Sequence, residues 1–202
     1  MTVVGSVASA KRAEQAGADA IVAEGMESGS HIGDTTTMTL VHQVVDSVHI
    51  PVIAADGIGD GRSLAAALVL GAQVIQTGTR FLCSQECPVH IKYKEKSLEA
   101  NDRSTVITGK AARHSACSLK NEFARQMLAL EETGLSSPEW ASLNQGKAYL
   151  GMIAGDVYNG TLLAGQVVGL VKEIKPVRTI TEEIVTSAES ILKQMGNEVK
   201  DD

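Results

Sequence analysis

Residues Ile50 to Phe81, IPVIAADGIGDGRSLAAALVLGAQVIQTGTRF, decide the fold. The run from Ile50 to Ala55 is short, apolar and opened by Pro51, as in a strand buried on both faces. Asp56-Gly57-Ile58-Gly59-Asp60-Gly61 follows at once, and its glycines let backbone N–H groups approach a ligand. Asp60 is placed to cap a helix carrying Leu64, Ala67 and Leu68 and ending at Gly71. A second strand, Ala72 to Gln76, then runs into Thr77-Gly78-Thr79. Two successive parallel strands that end in donor-rich loops make a phosphate cradle, which (β/α)₈ barrels commonly carry after strands seven and eight. Glycines also make plain tight turns, so the inference rests on the pairing of the two loops.

Upstream, the same grammar repeats. Val3-Val4 is a strand stub, Ser6 caps a helix from Val7 to Ala16, and Gly17 ends it. Ala20 to Ala23 is the next strand, followed by a long loop, Glu24 to Gly33, at its C-terminal end. Thr36 or Thr37 starts a helix whose Val41, Val44, Val45 and Val48 form an amphipathic stripe. Residues 1–82 therefore hold four parallel βα-type strands. Four strands do not close a barrel of eight, which leaves an open doubly wound sheet or the C-terminal half of a barrel whose N-terminal strands are absent.

Residues 83–202 read as mainly helical. Leu119, Phe123, Met127 and Leu130 make one stripe, ending at Gly134. Ser137-Pro138 opens a helix through Trp140 and Leu143. Thr161 is placed to cap a helix with Leu163, Val167, Leu170 and Val171 inward. Thr179 and Glu182 form a capping box for a last helix through Ile184, Ala188, Ile191 and Met195. The polar tail from Asn197 to Asp202 reads as frayed.

The 202 residues are 44% hydrophobic and 21% charged, as in an ordinary globular chain. A net charge of −6 with no basic cluster argues against a nucleic-acid partner. No apolar run approaches the ~20 residues that span a bilayer, and the N-terminus lacks a signal-peptide pattern, so the expectation is a cytoplasmic protein without a membrane partner. Cys83, Cys87 and Cys117 make no disulfide framework. Pro88 interrupts the helix that would gather Cys83, Cys87 and His90, so no metal site is expected.

Four segments, GADAIVAEGMESGSHIG (Gly17–Gly33), IPVIAADGIGDG (Ile50–Gly61), IQTGTRF (Ile75–Phe81) and GDVYNGTLLAGQVVGLV (Gly155–Val171), carry a family resemblance. Their order and combination are similar to the nitronate monooxygenase, or 2-nitropropane dioxygenase, family, and most of all to its flavin-dependent enoyl-(acyl-carrier-protein) reductase II branch. The resemblance covers nearly the whole chain. It implies the C-terminal half of a (β/α)₈ barrel, 1–82, completed by a packed region, 83–202, with FMN as cofactor and NAD(P)H as electron donor. The implied partner is a trans-2-enoyl thioester on acyl carrier protein. A nitronate monooxygenase, passing electrons to oxygen, is the alternative, and a non-catalytic half-barrel, pairing as a homodimer through its open edges, is a third.

The same resemblance assigns roles. His31 corresponds to the family's active-site histidine, and an imidazole titrating near ~6.5 can hand a proton to substrate at neutral pH. Gly29 lets the loop approach the flavin, and Glu24 accepts from ribityl hydroxyls or holds the loop. Ala55, Asp56, Gly57 and Ile58, with Gln76, Gly78 and Thr79, cradle the FMN phosphate. Two positions depart from the family, Ser30 and Asp56, each where glycine is usual. A carboxylate beside a phosphate dianion costs on the order of 1–4 kcal/mol unless it turns to solvent.

Overall fold

The computed structural model describes residues 1–134 and 136–198. Strand β1 (Thr2–Val4) leads to helix α1 (Val7–Gln15), β2 (Ile21–Glu24), a two-residue β3 (Ser30–His31) and α2 (Thr37–Val45). Then come β4 (Val52–Ala55), α3 (Gly61–Val69), β5 (Val74–Gln76), a single turn α4 (Thr79–Leu82) and α5 (Ile91–Leu98). Strands β6 (Thr105–Thr108) and β7 (Ala116–Leu119) precede α6 (Glu122–Glu132), α7 (Ser137–Asn144) and α8 (Lys147–Met152). A 3₁₀ turn (Gln166–Leu170) and a long α9 (Val177–Glu198) complete it. Of the tail expected to fray, Asn197 and Glu198 belong to α9, and 199–202 lie outside the described residues.

The large sheet runs β1-β2-β4-β5, every neighbour parallel. Strand order follows chain order, and α1, α2 and α3 all pack on one face of it. Ile21, Ala23, Val52 and Ala54 meet Ala10, Leu40, Val41, Val44 and Ala67 there. A doubly wound sheet reverses its order at a switch point and carries helices on both faces. This arc has no reversal, so of the two architectures open from sequence it is the barrel type. Its other face presents Val22, Ile53 and Ala55, flanked by the half-exposed Val3 and Val74 on the outer strands.

Local signals wrote this half. The Ser6 hydroxyl accepts the Ser9 N–H at 3.2 Å. Asp60 and Ser63 make a full capping box on α3, and Gly17 and Gly71 take positive φ at the helix ends.

The region beyond residue 82 corrects the helical expectation. It contributes β6 and β7 to a second, antiparallel sheet in the order β3-β7-β6, whose edge strand β3 comes from the loop after β2. Leu119, counted in a helical stripe, lies in β7, because Asn121 caps α6 two residues later. The segment 161–171 is no α-helix: Gly165 is extended at its N-cap and only one 3₁₀ turn follows, leaving Leu170 exposed. The Thr179–Glu182 box does not form either, since α9 has already begun at Val177, whose N–H is taken by the Glu86 carboxylate at 2.9 Å.

Asn121 ties this region together. Its Oδ1 accepts from the Ala124 N–H, and its Nδ2 donates to the Val157 and Gly160 carbonyls at 2.9 and 2.7 Å. Asn121→Ala is expected to cost about 1–3 kcal/mol in a denaturant melt, with Asn121→Ser recovering only the cap's share.

Candidate functional site

The C-terminal ends of β2, β4 and β5 converge on a cavity of about 240 Å³. Its floor is the loop 56–58 after β4 and the loop 77–79 after β5, and Gly29 and Ser30 form a third side. The two floor loops are tied directly, because the Thr77 hydroxyl donates to the Ile58 carbonyl at 2.6 Å. Gly57 sits at φ +68, a left-handed value that suits glycine. A Cβ at Gly78 would meet nothing within 4 Å, so that backbone borders open space. The N–H groups of Gly57, Ile58 and Gly78 reach no acceptor among the described residues. Donors left free around a small concavity are what an anion fills.

The fourth side comes from far along the chain. Gly165 donates its N–H to the buried Thr79 hydroxyl at 3.0 Å, and Gln166 donates to the Glu27 carbonyl at 3.0 Å. A Cβ on Gly29 would lie 2.5 Å from the Gly165 nitrogen and 2.6 Å from the Ala164 carbonyl carbon. Two backbones thus cross in contact, and glycine is required at the crossing. Leu82, Met152, Leu163 and Val167 supply the apolar wall.

Charge in the site is acidic. Glu27 accepts from the Thr37 N–H at 3.0 Å and the Thr37 hydroxyl at 2.9 Å, serving as a remote cap for α2, whose own Thr36 side chain makes no cap bond. Burial pushes the Glu24 carboxyl up, opposed by His31. Asp56 takes φ +77, and its carboxyl is pushed up to about 7 by burial first and then by Glu24, with Ser28 opposing and Glu27 adding. The buried Oδ2 of Asp56 has no hydrogen-bond partner among the described residues. The alternative of an Asp56 turned to solvent is therefore not what the fold adopts.

Of the residues singled out from sequence, Gly29, Asp56, Gly57, Ile58, Gly78 and Thr79 line the cavity. Ala55 and Gln76 end their strands beside it without lining it, the Ala55 carbonyl accepting from Gly25 and from Thr37 instead. Glu24 ends β2 next to Asp56. His31 stands apart from the cavity wall, exposed on β3 and paired with Ala116 of β7. Sequence reasoning missed Glu27, though it lies within the EGMES motif, and missed the wall residues Met152 and Leu163, which no local pattern marks.

A parallel arc with helices on one face and a cavity at the carboxyl ends of its strands defines a (β/α)₈-type scaffold. Residues 1–187 match the nitronate monooxygenase family, and the chain belongs to it. The structure is similar to FabK from Thermotoga maritima, with a TM-score of 0.93 and 44% identity over 96% of this chain and 62% of that one. A nitroalkane oxidase from Streptomyces ansochromogenes aligns with a TM-score of 0.81 and 28% identity, over 96% of this chain and 58% of that one. An octahydroindene-carboxyl-CoA dehydrogenase of Rhodococcus jostii is 30% identical over 97% of this chain and 67% of that protein. The chain spans 51% of a Mycobacterium tuberculosis relative that is 35% identical to it. No helix among the described residues is long and apolar enough to cross a membrane.

Proposed function

We propose that this chain carries the FMN site of an oxidoreductase that reduces a trans-2-enoyl thioester on acyl carrier protein at the expense of NAD(P)H. The observation that carries the reading is the pair of tied strand-end loops with free N–H donors facing one cavity. The residues fit a phosphate ester at this end: glycine backbone, open space at Gly78, and a Thr79 hydroxyl that accepts from Gly165 and keeps its own hydrogen for a ligand. FMN, when bound, supplies the two-electron hydride chemistry.

The chain's own residues do the rest. The loop 56–58 and the loop 77–79 anchor the phosphate end. Gly29 lets backbone lie close to the ring system, and Glu24 is placed at the tip of β2 to accept from ribityl hydroxyls. His31, on its separate strand, delivers a proton to the substrate's α-carbon or enolate oxygen. The FabK likeness at 44% identity supports an enoyl thioester as substrate. The family match and the nitroalkane oxidase likeness support the second reading, a nitronate as substrate with oxygen as electron acceptor.

The purified protein is expected to show the visible absorption of an oxidised flavin, released as FMN on denaturation, or to acquire it on adding FMN. A colourless protein that takes up no FMN would overturn the reading. NAD(P)H consumption with a crotonyl thioester, set against oxygen uptake with a nitronate, separates the two substrates.

A further inference from the structure

The cavity poses a charge problem. Its wall carries the acidic Glu27 and Asp56 but no lysine or arginine. The nearby Arg80 is turned away, its Nη1 donating to the Glu173 carbonyl at 3.2 Å. A phosphate dianion entering here would meet backbone dipoles and two carboxylates, with no cationic side chain on the wall to offset it.

The two carboxyls are not equivalent. Glu27 is fully partnered, its carboxylate accepting from the N–H and the hydroxyl of Thr37 at the start of α2. Asp56 has less support: Ser28 is the one hydrogen-bonding group that favours its charged form, and its Oδ2 is buried with no hydrogen-bond partner among the described residues. A carboxyl oxygen in that position is costly as an anion and satisfied as an O–H facing an acceptor.

We propose that Asp56, which lines the cavity, works as a neutral carboxylic acid, donating a hydrogen bond from its carboxyl to the phosphate of the bound ligand and making retention of that phosphate depend on one proton. This rests on the proposed FMN site and adds to it a ligand-discriminating residue. The charged groups that face Asp56 hold the proton in place, against the Ser28 hydroxyl, which favours the anion. Glu24 from β2 and Glu27 from the following loop both disfavour a third negative charge. His31 from β3 acts on Glu24. The loop after β5 brings only Thr77, Gly78 and Thr79, the 3₁₀ turn brings Val167, and α3's Asp60 and Arg62 are paired with each other at 2.7 Å. In the ligand-free site, burial and the Glu24 carboxylate push the Asp56 acid up to about 7. The protonated form is the one that binds, so affinity is full below that pH and falls as pH rises through it, and an adjacent phosphate, by holding the proton in the complex, extends the fall to higher pH.

The test is FMN affinity, read from flavin fluorescence quenching between pH 6.5 and 9, above the second phosphate ionisation near ~6. For the native sequence, FMN binding is expected to weaken by up to about tenfold per pH unit at the alkaline end, the slope of one proton taken up. Asp56→Asn, whose amide also donates and tolerates positive φ, is expected to bind with a flat profile near the native low-pH affinity. Asp56→Gly is expected to be flat but weaker than Asp56→Asn. Riboflavin, lacking the phosphate, is expected to show little slope. A flat native profile, a slope that persists in Asp56→Asn, or an equal slope for riboflavin would overturn the proposal while leaving the FMN site standing. No FMN binding by the native protein or either variant at any of these pH values would overturn both together.

Discussion

His31→Ala is expected to lower turnover of a trans-2-enoyl thioester by about two to four orders of magnitude, the usual worth of a positioned proton donor. FMN affinity should not change, because His31 is absent from the cavity wall. The separation follows from the fold. Ser30 and His31 are held by pairing with Cys117 and Ala116 of the small antiparallel sheet, whereas the anion cradle hangs from the parallel arc. NAD(P)H oxidation and flavin fluorescence on the same preparation give the two readouts. Unchanged turnover would remove His31 from the chemistry, and a parallel loss of FMN would mean that it supports the site rather than the reaction.

Gly29→Ala carries the second large effect, on stability. Its new Cβ would fall within 2.8 Å of three backbone atoms of Ala164 and Gly165, none of which can rotate away. Overpacking of this kind costs about 1–3 kcal/mol, and each kcal/mol lowers the melting temperature by roughly 2–4 °C in a chain of this size. Gly78→Ala is the control. That residue has an αR backbone and open space where its Cβ would go, so the melt should hold while FMN binding weakens. Equal destabilisation by both would mean that the crossing at Gly29 is looser than its geometry.

What the amino-acid sequence revealed, and what it hid, divides by distance along the chain. The βα units of the parallel arc were legible because their signals are adjacent: apolar runs, Ser6 and Asp60 as caps, and Gly17 and Gly71 as stops. Six of the cavity residues lie in those same turns. The antiparallel sheet was hidden because β3, β6 and β7, no longer than the strands of the arc at two to four residues each, are not set between a helix end and a helix cap as in a βα unit, and β3 meets β7 only across the rest of the arc. One helix start was misread for a related reason: Glu86 serves α9 from 91 residues away, so no capping pattern exists to be seen locally. Asp56 stood out only as an anomaly, since its burial depends on neighbours from β2 and the loop beyond it.

The division of the site between two sheets also bears on how such a protein can change over generations. Under the proposed function, ligand anchoring and proton delivery rest on different foundations, joined by the short crossing at Gly29. Substitutions among Thr105–Thr108 and Ala116–Leu119 can re-aim the donor strand without touching the loops at 56–58 and 77–79. Selection for a new substrate therefore has a workshop of its own in the small sheet, and the anchor for the cofactor can be inherited unaltered.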